Sequence, residues 1–247
     1  MTNLNEPRVL VVDDEQDTCR NLTDILTDLG YHVDWACDGE SALEFVRRQP
    51  YDVALLDLKM PGMDGLTLYR EIKKLRAETV AILVTAYASG ATSEEALAAG
   101  AWQVVPKPVH LPRLLGLVDQ ARDQPLLLVV NDDPDLCERL WQILRERGYR
   151  VALAHNVAEA AEQLRDTAFR IALIDMKLPG GDGTVVFDLV RQADPKTRTV
   201  LITDCRPEMD ETVVRVLAEG ADAACYKPFD MPRLLETLER LAKAPES

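Results

Sequence analysis

Short apolar runs alternate along the chain with stretches whose apolar residues recur every three or four positions. Val80–Val84 is typical of the runs, which have the length of a buried strand. Between the runs, residues such as Leu22, Ile25 and Leu29 share one helical face, and Gly30 ends that stretch. The pattern predicts strands at 8–12, 31–36, 51–56, 80–84 and 102–105, and helices at 17–29, 41–48, 66–74, 93–99 and 111–122. Strands and helices alternating in this order predict a parallel sheet with helices on both faces.

The same cycle of elements occurs twice. Asp57 closes an apolar run before a loop with Pro and Gly, and the same order of residues returns 118 positions later around Asp175. We therefore predict an α/β protein of two domains, 8–122 and 126–243, joined by residues 123–125. Each domain would hold a doubly wound five-stranded parallel sheet in the order 2-1-3-4-5. In the second domain the pattern predicts strands at 126–130, 150–154, 169–174, 199–203 and 222–226, and helices at 134–147, 157–165, 183–192, 208–218 and 231–242.

Composition argues against several classes of protein. Residues 1–124 hold 12 Lys and Arg against 20 Asp and Glu, and residues 125–247 hold 16 against 22. Two acidic domains argue against direct contact with a nucleic-acid backbone. The five cysteines include no CxxC pair, which gives no sign of a disulfide framework or a zinc site. Because the sequence has no long apolar run and no signal-peptide pattern, we expect a cytoplasmic protein that binds no membrane.

Polar residues stand where predicted strands 1, 3, 4 and 5 of the first domain end. They are Asp13, Asp14, Asp57, Thr85 and Lys107. Strands 1 and 3 are neighbours at the switch point of such a sheet, which places the acid pair beside Asp57. At about 5 Å and an effective dielectric of about 20, each pair of carboxylates repels by roughly 3 kcal/mol. Either one carboxylate is protonated or a cation binds, and oxygen ligands at a partly open site favour Mg²⁺.

The same residues suit the transfer of a phosphoryl group. A carboxylate is an established nucleophile for this chemistry and forms an aspartyl-phosphate. Mg²⁺ and Lys107 would together neutralise a phosphoryl group that arrives at Asp57. Thr85 would donate its hydroxyl to a phosphoryl oxygen, which would link strand 4 to the modification.

Four motifs follow one another along the first domain. They are Val-Val-Asp-Asp-Glu at 11–15, Leu-Asp-Leu-Lys-Met-Pro-Gly-Met-Asp-Gly at 56–65, Val-Thr-Ala at 84–86 and Lys-Pro at 107–108. Each motif is weak alone, but all four in order on the expected strands are specific. With them the chain resembles two response-regulator receiver domains of two-component signalling in tandem. The resemblance covers 8–122 and 126–243, and it implies the flavodoxin-like fold of that family.

The resemblance also implies a role for each residue of the first domain's site. Asp57 would be the phospho-acceptor. Asp14, Asp57 and the backbone carbonyl of Lys59 would hold Mg²⁺ directly, and Asp13 would act on it through water. Thr85 and Lys107 would bind the phosphoryl group. The donor would be the phosphohistidine of a histidine kinase or of a phosphotransfer protein. Such a domain catalyses its own phosphotransfer and dephosphorylation and is not a metabolic enzyme.

The second domain matches the family with departures. Asp132, Asp175, the carbonyl of Lys177, Thr203 and Lys227 stand at the matching places. Asn131 replaces the first acid of the pair, so we expect weaker binding of Mg²⁺. Asp204 stands where the first domain has Ala86, and it would either replace part of the missing charge or repel phosphate. We expect Asp175 to be a second phospho-acceptor.

Several hypotheses about output remain open. The preferred one is a response regulator of two receivers whose phosphorylation changes a face that docks another, unknown protein. In a second, the second receiver is an unphosphorylated partner within a pseudo-dimer, and a homodimer is also possible. In a third, the chain is the N-terminal part of a larger regulator, such as a histidine kinase or nucleotide cyclase. A fourth is a phosphatase that acts through an aspartyl-phosphate on small phosphate esters.

Overall fold

The computed structural model describes residues 7–86, 90–178, 181–204, 211–228 and 230–244. The chain divides into two compact units, Met1–Gln124 and Pro125–Ser247, which are called domain 1 and domain 2 below. No helix in these described ranges is both long enough and apolar enough to cross a membrane.

Domain 1 is a five-stranded parallel sheet between two layers of helices. Its strands are β1 (Arg8–Val12), β2 (His32–Ala36), β3 (Val53–Asp57), β4 (Val80–Thr85) and β5 (Gln103–Pro106). Its helices are α1 (Gln16–Asp28), α2 (Gly39–Arg48), α3 (Gly65–Leu75), α4 (Gly90–Ala98) and α5 (Leu111–Arg122). The strand order is β2-β1-β3-β4-β5, which confirms the predicted 2-1-3-4-5 topology.

Alternate residues of each central strand of domain 1 enter different cores. Leu10 and Val12 of β1 pack on the side of α2 and α3. Val9 and Val11 pack on the other side, with α1 and α5. Helices thus cover both faces of the sheet, so both faces of a strand must be apolar. This burial explains why the strands read as continuous apolar runs rather than as alternating patterns.

Domain 2 repeats the architecture. Its strands are β6 (Leu126–Val130), β7 (Arg150–Ala154), β8 (Ile171–Asp175), β9 (Lys177–Leu178), β10 (Gly181–Asp182), β11 (Arg198–Thr203) and β12 (Ala223–Tyr226). Its helices are α6 (Pro134–Glu146), α7 (Val157–Asp166), α8 (Gly183–Ala193), α9 (Glu211–Ala218) and α10 (Met231–Lys243). The five-stranded sheet has the order β12-β11-β8-β6-β7, which is again 2-1-3-4-5 within the domain.

Most element boundaries lie within two residues of those predicted, and the exceptions have local causes. β9 and β10 form a two-residue antiparallel pair that the sequence pattern does not indicate. α4 begins at Gly90 rather than at 93. The small residues of this helix have no apolar period from which its start could be predicted. α9 begins at Glu211, and the predicted start at 208 lies outside the described residues. β5 includes Pro106, which pairs with Thr85 at the edge of the sheet.

Candidate functional site

The carboxyl ends of four strands meet at one edge of the sheet in domain 1. Val12 of β1 pairs with Leu56 of β3, so Asp13 follows β1 beside the end of β3. Asp57, the last residue of β3, pairs with Val84 of β4. Parallel strands that end together place the residues that follow them at one crevice, which is where ligands of doubly wound sheets bind.

Three carboxylates of domain 1 form a compact cluster in this crevice. One side-chain oxygen from each of Asp13, Asp14 and Asp57 lies within 4.8 Å of the others. Asp13 is 4% exposed and Asp57 is 7% exposed, whereas Asp14 is exposed. The structure thus brings together the three acidic residues that the sequence analysis singled out.

Lys107 joins this cluster from the end of β5. Its Nζ donates to Oδ2 of Asp13 over 2.7 Å and lies 3.2 Å from Oδ2 of Asp57. Burial lowers the pKa of Lys107, but the hydrogen bonds to the two carboxylates and their charges raise it by more, so the pKa is above its ordinary value. Lys107 is therefore a cation shared between two of the three acids.

The loop after β3 fixes the position of Asp57. The backbone N–H of Lys59 faces Oδ1 of Asp57 with the nitrogen 3.4 Å away. Gly65 begins α3 directly against the strand end, and a Cβ atom there would lie 2.2 Å from the carbonyl oxygen of Asp57. Asp64 caps α3 by accepting from the N–H of Thr67 over 2.7 Å. Only glycine allows this close approach of helix and strand.

The donor set of domain 1 fits a hard divalent cation. All three clustered side chains offer carboxylate oxygens, and Lys107 is the one basic group that the described contacts bring against Asp13 and Asp57. Oxygen ligands with one exposed member suit Mg²⁺, which keeps several of its waters. Thr85 is fully buried at the end of β4, next to the same edge.

The equivalent site of domain 2 centres on one buried carboxylate with several hydrogen-bond donors. Asp175 ends β8 and is 1% exposed. Its Oδ2 accepts from Nδ2 of Asn131 over 2.7 Å and from Nζ of Lys227 over 2.6 Å. Its Oδ1 accepts from the backbone N–H of Lys177 over 3.0 Å. The buried carboxylate therefore accepts hydrogen bonds from three protein groups.

The two other acidic residues that the sequence places at this site lie further out. Asp132 is exposed, and Asp204 follows β11 at the rim, where its oxygens lie 3.2 Å from Nζ of Lys177 and 4.0 Å from Nζ of Lys227. Thr203 is buried beside it. Within the described ranges, no set of three metal-binding side chains as compact as that of domain 1 occurs in domain 2.

One buried cysteine supports the first loop of each site. Cys19 Sγ donates to the carbonyl of Asp13 over 3.2 Å, and Cys137 Sγ donates to the carbonyl of Asn131 over 3.3 Å. Burial is the main cause that raises the pKa of each thiol, to about 12. Both thiols are consequently protonated at neutral pH and serve as small core groups.

Comparison with known proteins identifies the family. The model of the response regulator receiver domain matches residues 9–119 and again residues 127–239. The chain belongs to the response regulator receiver family. The resemblance drawn from the four motifs is thereby confirmed, and the chain carries two receiver domains in tandem. Receiver domains are components of two-component signalling, are generally dependent on Mg²⁺ and interact with kinases or phosphotransfer proteins.

Curated relatives match the chain either along nearly its whole length or along about half of it. A response regulator receiver protein of Anaeromyxobacter sp. (strain Fw109-5), Anae109_2439, is 34% identical over 95% of this chain and 94% of its own length. The transcriptional regulatory protein ZraR of Escherichia coli (strain K12) is 39% identical over 113 residues. That match covers 46% of this chain and 26% of ZraR, so most of ZraR has no counterpart in it.

Solved receiver structures align with about half of the chain. A CheY-like receiver domain protein from Methanospirillum hungatei JF-1 is 34% identical, with a TM-score of 0.47, and covers 48% of this chain and 95% of its own. The response regulator TrrA of Thermotoga maritima, solved with Mg²⁺ and BeF, is 36% identical, with a TM-score of 0.43. It covers 47% of this chain and 98% of its own.

Proposed function

We infer that Asp57 is the phospho-acceptor of this two-receiver response regulator and that a histidine kinase or a phosphotransfer protein is its donor. The observation that carries this function is the group of Asp13, Asp14 and Asp57 within 4.8 Å, with Nζ of Lys107 at 2.7 Å from Asp13 and 3.2 Å from Asp57. It combines a nucleophilic carboxylate, a donor set for a divalent cation and a fixed cation in one crevice.

The transfer follows from these side chains. A carboxylate oxygen of Asp57 forms a bond to phosphorus while the bond from phosphorus to the donor imidazole nitrogen breaks, and that nitrogen keeps the electron pair. Lys107 is placed to balance charge on the phosphoryl oxygens, and Thr85 to donate its hydroxyl to one of them. Asp13, Asp14, Asp57 and the carbonyl of Lys59 would hold Mg²⁺. The ion would supply charge neutralisation at the phosphoryl group.

The same chemistry would reverse the signal. Water attacks the aspartyl-phosphate, the phosphorus–oxygen bond to Asp57 breaks, and inorganic phosphate leaves. The protein therefore acts on its own modification and is not a metabolic enzyme. The phosphorylated state would be transmitted by docking of another protein, in the arrangement of a response regulator.

Asp175 is the second candidate acceptor. It has the matching position at the end of β8, and Lys227 contacts it as Lys107 contacts Asp57. The alternative is a second receiver that remains unphosphorylated, and the hydrogen bond from Asn131 to Asp175 favours a state that needs no metal. A place within a larger regulator would be compatible with either state.

Intact-mass measurement after incubation with acetyl phosphate and Mg²⁺ tests the proposal. Wild type, Asp57→Asn, Asp175→Asn and the double variant would be compared. We expect Asp175→Asn to gain the mass of one phosphoryl group and the double variant to gain none. If Asp175→Asn gains no mass under conditions that phosphorylate an unrelated receiver, the proposed acceptor role of Asp57 is wrong.

A further inference from the structure

Each site has three acidic residues, and one of the three lies on opposite sides of the acceptor in the two receivers. In domain 1 it is Asp13, at the end of β1, where it belongs to the cluster around Asp57. In domain 2 the matching residue is Asn131, and an extra carboxylate, Asp204, stands at the end of β11 where domain 1 has Ala86. The number of acids is the same, but one acid has moved from the metal-binding side to the phosphoryl-binding side.

Asp204 lies near two lysines of the site, one of which, Lys227, would bind an incoming phosphoryl group. Its Oδ2 lies 3.2 Å from Nζ of Lys177, and its Oδ1 lies 4.0 Å from Nζ of Lys227. The same Nζ of Lys227 is 2.6 Å from Asp175. Asp204 thus stands beside the cation of the site and directly follows Thr203, the residue proposed to bind phosphoryl oxygen.

A carboxylate in this place opposes a phosphoryl group in two ways. It competes for the positive charge of Lys227, and it repels the phosphoryl oxygens through their own negative charge. Asp204 is 49% exposed at its side chain, so solvent screens part of this repulsion. Domain 1 has no such competitor at this position, because Ala86 carries no charge.

We propose that Asp204 is a specificity-determining residue that slows phosphorylation of Asp175 by competing for the charge of Lys227 and repelling the incoming phosphoryl group, so that the two receivers accept phosphoryl groups at different rates. This inference rests on the proposed function, in which Asp57 and Asp175 are acceptors. Asp204 acts through its charge on Lys227 and on the phosphoryl oxygens rather than by touching a metal.

The first test measures the initial rate of phosphorylation of Asp175 in an Asp57→Asn protein, with acetyl phosphate and Mg²⁺. Adding Asp204→Ala or Asp204→Asn raises that rate about tenfold, since either substitution removes one screened charge beside the incoming group. Asp204→Glu keeps the charge and leaves the rate low. Asp188→Ala, which removes an exposed charge from α8, is the matched control and leaves the rate unchanged.

The second test introduces the same charge into domain 1. Ala86→Asp in an Asp175→Asn protein lowers the rate of phosphorylation of Asp57 by about tenfold. Because Ala86 is exposed, an aspartate fits there without displacing the core, and an unchanged melting temperature verifies that the variant is folded.

The outcomes separate this inference from the proposed function. If Asp57 accepts a phosphoryl group but neither Asp204→Ala nor Asp204→Asn accelerates Asp175, the role of Asp204 is overturned and the function of domain 1 stands. An Ala86→Asp protein that reacts at the rate of its parent overturns the role of Asp204 as well. If Asp57 itself accepts nothing, the proposed function fails whatever Asp204 does.

Discussion

Asn131 donates its side-chain amide to Oδ2 of Asp175 over 2.7 Å, at the place where domain 1 sets Asp13 beside Asp57. One amide in domain 2 thus stands where domain 1 has a carboxylate in its crevice. In domain 1, packing the acids together costs repulsion that a cation relieves. In domain 2, the same position supplies a hydrogen bond to the acceptor. We therefore expect the two receivers to differ in their need for a metal ion.

Asn131→Asp should make domain 2 dependent on Mg²⁺. The substitution removes a hydrogen bond to Asp175 and adds a repelling carboxylate, so we expect the free energy of unfolding without Mg²⁺ to fall by about 2 kcal/mol. Mg²⁺ should restore much of that loss. Urea unfolding followed by the fluorescence of Trp141, in a chain with Trp35→Phe and Trp102→Phe, reports on domain 2 alone.

The matched substitution in domain 1 is Asp13→Asn. It should raise the stability of domain 1 in the absence of Mg²⁺ and reduce the stabilisation that Mg²⁺ confers. If Mg²⁺ raises the free energy of unfolding of Asn131→Asp and of its parent by the same amount, the identity of this residue does not set the metal requirement.

Gly65→Ala should damage domain 1 and its acceptor together. A Cβ atom at this position meets the carbonyl oxygen of Asp57 at 2.2 Å, so α3 or the end of β3 must move. We expect a loss of about 1–3 kcal/mol in the free energy of unfolding, together with slower phosphorylation of Asp57. Gly116→Ala is the control: nothing lies within 4 Å of its added Cβ in α5, and Ala in a helix should stabilise by up to about 1 kcal/mol. Equal stability of the two variants would contradict this reading of the strand-to-helix contact.

Asp38 should make domain 1 lose stability as the pH falls into the acid range. Its side chain caps α2, and hydrogen bonds, chiefly from the backbone N–H of Ser41, hold its pKa below the ordinary value. Because the folded pKa is the lower one, the contribution is present above about pH 4 and is lost as the pH falls through the folded pKa. Urea unfolding of wild type and Asp38→Asn between about pH 6 and pH 3 measures this.

The control for the cap lies in domain 2. Asn156 caps α7 through the N–H of Glu159 in the same way, without an ionisable group. Asp38→Asn should therefore retain most of the cap at neutral pH but lose the extra decline in acid, whereas Asp38→Ala should cost about 1 kcal/mol at neutral pH. A decline in acid that is the same in wild type and Asp38→Asn would rule out this contribution.

The members of the site could be predicted from the sequence because topology alone brings them together. Asp13, Asp57, Thr85 and Lys107 each follow or end a buried run, and parallel strands end at one edge. The repeat at a separation of 118 residues then located the acceptor of domain 2. Neither step requires knowledge of any side-chain conformation.

The partners within the site could not be predicted, because they depend on side-chain conformations. Lys107 lies 94 positions from Asp13, and sequence does not show whether its Nζ reaches one acid or two. The two effects considered for Asp204, replacement of charge or repulsion of phosphate, are equally consistent with its position in the chain. Its contacts with Lys177 and Lys227 are seen only in the three-dimensional structure.

The most direct test locates the modified residue. Wild-type protein would be incubated with acetyl phosphate and Mg²⁺ and then reduced with borohydride, which converts an aspartyl-phosphate to homoserine, and its peptides would be sequenced by mass spectrometry. We expect homoserine at position 57, and none there when Mg²⁺ is removed by a chelator or when Lys107 is replaced by alanine. Unmodified aspartate at position 57 in a protein that has gained the mass of a phosphoryl group elsewhere would contradict the account.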